Sequence, residues 1–108
     1  MTYARQLKRK VKSIVAGLER AARKNRIGYF FDEDCDFKIT IDRRFKYSGV
    51  KVRVAIGEKY AIYVDTTNRW GYSKIFGYLE GAEFSLNISD DLSDEIDDYF
   101  EDCYTACR

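Results

Sequence analysis

Val50, Lys51, Val52, Arg53, Val54, Ala55, Ile56, Gly57, Glu58, Lys59, Tyr60, Ala61, Ile62, Tyr63 and Val64 decide the fold of this chain. Before the glycine, Val50, Val52, Val54 and Ile56 alternate with Lys51, Arg53 and Ala55, which is the period of a strand with one buried face. Gly57 and Glu58 fit a two-residue hairpin turn with glycine first, so Tyr60, Ile62 and Val64 are expected on the same face of the next strand. An antiparallel sheet is therefore built around this pair.

The pattern extends both ways. Phe37, Ile39 and Ile41 alternate with Lys38, Thr40 and Asp42 and predict a preceding strand, joined to the hairpin by a loop over residues 43–49. Residues 66–80 are ambiguous, because Trp70, Tyr72, Ile75, Phe76 and Leu79 can be threaded by either period. Gly71 and Gly77 would each weaken a helix by about 1 kcal/mol, which favours a loop and then a strand over residues 73–79. Glu80 and Gly81 would turn it into a last strand, 83–88, with Phe84, Leu86 and Ile88 inward.

Helical periodicity flanks the strands. Tyr3, Leu7, Val11, Ile14, Leu18 and Ala21 recur at steps of four or three and form one stripe of a helix over residues 2–24. Arg5, Lys8, Arg9, Lys12, Arg20 and Arg23 fall opposite it, and Asn25 and Gly28 are suited to end it. At the other end, Ser89 or Asp91 can cap a second helix whose apolar stripe is Leu92, Ile96, Tyr99, Phe100, Cys103 and Cys107. The expected fold class is α+β in a single domain, residues 1–108. It comprises an N-terminal amphipathic helix, an antiparallel β-meander of about five strands and a C-terminal acidic amphipathic helix, both helices on one face of the sheet.

With 45% hydrophobic and 34% charged residues among 108, the chain should fold, and it holds no apolar run long enough to cross a membrane. It has no His, which excludes His-dependent triads and His metal sites. Cys35, Cys103 and Cys107 are an odd set without a paired-Cys motif, and no signal-like apolar run follows Met1, so a reducing cytoplasm with free, core-packing thiols is expected. A three-thiolate site is the alternative for them. Asp32, Asp34 and Asp36 open like a calcium loop, but Phe37 stands where that loop needs Gly and Arg43 where it needs Glu. Asp36, Phe37 and Lys38 give the D-x-K of a metal nuclease without its preceding carboxylate. No nucleophile elbow or phosphate loop appears. The expectation is a protein that is not an enzyme and holds no metal or cofactor.

The net charge of +1 hides an uneven distribution. Residues 1–26 hold nine Lys or Arg and one Glu, whereas residues 80–108 hold ten Asp or Glu and one Arg. Asp90, Asp91, Asp94, Glu95, Asp97, Asp98, Glu101 and Asp102 lie on the second helix, one per roughly 2.3 Å, near the roughly 1.7 Å spacing of charge on duplex DNA. Such a face can stand in for nucleic acid on a basic protein, with Trp70 as an accompanying interface aromatic. It can equally be a solvated face, or a partner for the basic helix of the same chain. In composition alone the chain is similar to the small inhibitors that phages and mobile elements direct at host nucleic-acid machinery, including anti-CRISPR and anti-restriction proteins. The resemblance implies a non-enzymatic inhibitor of a basic nucleic-acid-binding protein. The alternative is direct binding of DNA or RNA by Arg5, Lys8, Arg9 and Lys12 of the first helix with Arg43, Arg44, Phe45, Lys46 and Tyr47, where cations alternate with rings.

Overall fold

The structure, a computed structural model, describes residues 2–31, 36–67 and 73–106. Its elements in chain order are α1 (Tyr3–Arg23), α2 (Ile27–Phe30), β1 (Phe37–Ile41), β2 (Tyr47–Ile56), β3 (Tyr60–Asp65), β4 (Lys74–Leu79), β5 (Ala82–Asn87) and α3 (Asp90–Ala106). The strands form one antiparallel meander in the order β1-β2-β3-β4-β5. Helix α1 packs on β4 and β5, and α3 packs on β2. The fold is the expected α+β arrangement, with both helices against one face of the sheet.

The inner face carries Val50 and Val52 of β2, Ile62 and Val64 of β3, and Ile75 and Leu79 of β4. These residues close over Leu7, Val11 and Leu18 of α1 and Leu92, Ile96 and Phe100 of α3. The deciding hairpin differs from its sequence reading in two details. Arg53 pairs with Tyr63 but Ala55 pairs with Ile62, so Val54 is an extra residue in a β-bulge. Because side-chain direction alternates, one extra residue moves everything after it to the opposite face. Ala55 therefore points inward, and Ile56 stands 58% exposed on the outer face. The turn is also one residue later. The Gly57 N–H donates to the Tyr60 carbonyl at 2.9 Å, which leaves Glu58 and Lys59 as the central residues. Gly57 is required for another reason, since a Cβ there would strike the Tyr60 ring.

The remaining turns follow their residues. Glu80 and Gly81, at φ 51° and 84°, make the left-handed pair that suits a tight hairpin between β4 and β5. The stretch that both periods fitted is a strand from Lys74, and Gly77 faces inward in it. A Cβ on Gly77 would sit 2.9 Å from Ile62 Cγ1 and 3.1 Å from Leu7 Cδ1, so this glycine allows α1 to lie close on the sheet. The expected loop over 43–49 is shorter, since β2 begins at Tyr47.

Thr2 caps α1 by accepting the Arg5 N–H at 3.3 Å, and Asn25, at φ 53°, ends the helical run. Gly28 ends nothing. It lies inside α2, where a Cβ would come within 2.8 Å of the Tyr99 ring. Tyr3 is 52% exposed, because the buried stripe of α1 starts one turn later, at Leu7.

Substituting Gly77→Ala is expected to lower stability by about 1–3 kcal/mol through overpacking against Leu7 and Ile62. The measurement is the urea midpoint, and an unchanged midpoint would show that α1 does not depend on this close approach.

Candidate functional site

Helix α3 is held to the sheet by a line of polar side chains beside its apolar stripe. Ser89 Oγ accepts the Leu92 N–H at 3.2 Å, and Ser93 Oγ lies 2.6 Å from Ser73 Oγ. One turn on, Asp97 Oδ1 accepts hydrogen bonds from the Tyr47 hydroxyl at 2.6 Å and from Thr66 Oγ1 at 2.7 Å. Thr66 Oγ1 in turn accepts the Val50 N–H at 2.9 Å, which joins the helix to the backbone of β2. Near the end of the helix the Tyr104 hydroxyl donates to the Phe45 carbonyl at 2.7 Å. Burial, and then the hydrogen bond to the Asp97 carboxylate and its negative charge, raise the Tyr47 hydroxyl above the usual tyrosine range.

This line rotates the helix. Its buried residues are Leu92, Ser93, Ile96 and Phe100, while Tyr99 and Cys103 from the expected stripe are only half-buried. Asp97 is therefore a structural anchor and not part of the wet acidic face, and Glu95 is half-buried. Asp90, Asp91, Asp94, Asp98, Glu101 and Asp102 remain exposed. At 100° per residue these six share an arc of roughly 120° on α3.

Among the described residues, the ion pairs within 4 Å join Arg53 to Asp36 and Lys59 to Glu80, and neither involves α3. The basic helix nevertheless lies alongside. A groove of about 520 Å³ between α1 and α3 is lined by the acids Glu19, Asp91, Asp94 and Glu95, by Arg23, and by apolar Ala22 and Leu92. A second groove, of about 460 Å³, runs from Arg26 and Ile27 to Glu95, Asp98, Tyr99 and Asp102.

The residues suggested for direct nucleic-acid binding are not brought together. Arg5, Lys8, Arg9 and Lys12 are exposed on the N-terminal half of α1, where the neighbouring Lys10 Nζ lies 4.6 Å from the centre of the Tyr60 ring at the start of β3. Arg43, Arg44, Phe45 and Lys46 occupy the β1–β2 turn, at the opposite end of the sheet. Asp42 organises that turn by accepting the Arg44 and Lys46 N–H groups at 2.8 and 3.0 Å. Phe45 is 65% exposed at φ 61°, but Tyr47 faces inward to Asp97. Trp70, Cys35 and Cys107 lie outside the described residues, as do Asp32 and Asp34 of the acidic triplet. Asp36 pairs with Arg53 at 3.6 Å, and Cys103 is a free thiol. Among the described residues no helix is long and apolar enough to cross a membrane.

The sequence reading missed the outer face of the sheet. Tyr63 and Phe76 stack across β3 and β4 with ring centres 5.4 Å apart, and Tyr78 meets Phe76 edge-on at 6.1 Å. Lys51 and Lys74 lie over these rings. The available signal was the period-two set Lys74, Phe76 and Tyr78, which only becomes outward-facing once Gly77 is assigned inward. No family model matches the sequence, and neither a curated protein nor a solved structure matches it.

Asp97→Ala is expected to cost about 2–3 kcal/mol, because two hydroxyl donors lose a charged acceptor. Asp94→Ala, on the exposed arc, should stay within about 0.5 kcal/mol of the wild type. Equal effects in chemical denaturation would contradict the division between anchor and exposed arc.

The folded chain holds the Tyr47 proton more tightly than the unfolded chain does. That contribution to stability is complete below about pH 10, where unfolded tyrosine ionises, and is lost as pH rises through the higher folded value. Tyr47→Phe should flatten this alkaline decline in a pH series of unfolding curves, and a decline of unchanged slope would refute the assignment.

Proposed function

We propose that the chain is a non-enzymatic binding protein that presents the exposed arc of α3 as a nucleic-acid-like surface to a basic nucleic-acid-binding protein and blocks it by competition. The observation that carries this reading is the set of six exposed carboxylates with no ion pair to a described cation, although a strongly basic helix packs beside them. Clustered like charge lowers the stability of a fold, and exposed pairs return only about 0–1 kcal/mol each. Steering of a basic partner gains far more, on the order of 10 to 10³ in association rate. The groove between α1 and α3 supports the same reading. Its four carboxylates, set against the single cation Arg23, suit an arginine or lysine side chain, with Ala22 and Leu92 against the aliphatic stem. The reading places the protein with inhibitors of the anti-CRISPR or anti-restriction kind, acting in the cytoplasm.

The test is a variant carrying Asp91→Asn, Asp94→Asn, Asp98→Asn and Glu101→Gln, with Asp97 untouched. It should fold with an equal or higher melting temperature, since self-repulsion falls while the anchor stays. Immobilised wild type should capture from a lysate of the source cells a protein that duplex DNA or high salt elutes, and the variant should not. Capture that persists in the variant, or that resists both DNA and salt, would overturn the proposal.

A further inference from the structure

We infer that the outer face of the sheet binds a segment of single-stranded nucleic acid, with a phosphate held between Lys51 and Lys74 and bases stacked on Tyr63, Phe76 and Tyr78. The inference concerns the side of the sheet away from α1 and α3 and does not rest on the role proposed for α3. Three observations lead to it.

The first is the placement of the two ammonium groups. Lys51 Nζ lies 5.1 Å from the centre of the Tyr63 ring and 5.4 Å from that of Phe76, and Lys74 Nζ lies 5.3 Å from Phe76. Two cations thus converge on one ring. The strand register puts Asp65 opposite both Lys51 and Lys74, yet among the described residues it forms an ion pair within 4 Å with neither. Its Oδ1 accepts the Thr67 N–H at 2.8 Å and the Thr67 hydroxyl at 2.5 Å, which hold the carboxylate in place without removing its charge. An anion placed between the lysines relieves their repulsion and draws the ammonium groups off the Phe76 ring, which bares the ring for stacking.

The second observation is the charge of the face. Lys38, Lys51 and Lys74 project outward with Asp65 and Glu83, Arg53 beside them is paired with Asp36, and Lys38 lies directly opposite Lys51 in the register. Like charges directly opposed across two strands destabilise a sheet, so an anionic ligand complements what the fold leaves unbalanced.

The third is shape. A shallow groove of about 610 Å³ over this face is lined by Lys51, Lys74, Phe76 and Tyr78 together with Asp65, Glu83 and Ser85. Among the described residues only strand residues line it. Tyr78 is 44% exposed at one end. Rings on a flat, open sheet can stack only with bases already free of a duplex, which selects single strands. An acidic peptide would satisfy the lysines and leave the rings unused.

The experiment is fluorescence anisotropy of labelled single-stranded 12-mers of RNA and DNA with the purified chain. Binding is expected at micromolar protein in low salt, and it should weaken as salt rises. Lys51→Gln with Lys74→Gln should lower affinity at least tenfold and reduce the salt slope by about 0.7, the value for one phosphate on a single strand. Tyr63→Leu with Phe76→Leu keeps the face apolar and should cost about fivefold to a hundredfold through lost stacking. The variant of α3 described above should bind the oligonucleotide as tightly as wild type or more tightly.

No binding in low salt would overturn the inference. So would affinity unchanged in both sheet variants, or lost only when Arg5, Lys8, Arg9 and Lys12 are changed. Duplex bound as tightly as single strands would overturn the stacking role. A concentration-dependent dimer in sedimentation, abolished by the sheet variants, would show that a second copy covers this face.

Discussion

The carboxylate of Asp97 sets the orientation of α3 on the sheet. By accepting both the Tyr47 and Thr66 hydroxyls, it ties the middle of α3 to the ends of β2 and β3 and turns Ser93 toward the sheet. Hydrophobic burial alone would centre the helix on Leu92, Ile96, Tyr99 and Cys103. The hydrogen bonds turn it toward Asp97, and the contacts of Phe100 with Phe31 and Phe37, with ring centres 5.0 and 5.1 Å apart, fit that rotation. Which carboxylates face solvent follows directly. Had Asp97 been outward, the exposed arc would have been wider and the anchor missing.

Once α3 is fixed, its exposed acids lie beside the basic residues of α1 on the helical side of the sheet. On the helical side, six exposed carboxylates adjoin grooves that also hold Arg23 and Arg26. On the other side, Lys38, Lys51, Arg53 and Lys74 lie with Asp65, Glu83 and three aromatic rings on the strands. The sheet separates the exposed acids of α3 from the lysines of the outer face.

Much of the fold was legible because its periods are clean. Val50 to Val64 announced a hairpin, and Leu7, Val11 and Leu18 a helix packed by one stripe. The β-bulge at Val54 was not legible, since Ala55 and Ile56 are both apolar and either suits the inner face. Gly77 read as a helix breaker, and its true role, room for Leu7, depends on a helix seventy residues away. The site was read less completely. Counting charge found the acidic helix but could not separate Asp97 from its neighbours, because its partners Tyr47 and Thr66 are remote in sequence. The four-residue spacing of Ser89, Ser93 and Asp97 beside Leu92 and Ile96 was the clue. The outer aromatic patch needed strand register across β2, β3 and β4, which no local pattern supplies.

If the exposed arc of α3 receives cationic groups from a partner, as proposed, it should bind a free polycation. Amide chemical-shift mapping by NMR with added deca-arginine tests it most directly. Saturable, salt-sensitive shifts are expected at residues 90–102 and along the groove at Glu19 and Ala22. Shifts spread evenly over Glu58, Glu80, Glu83 and α3, or shifts absent from α3, would contradict it.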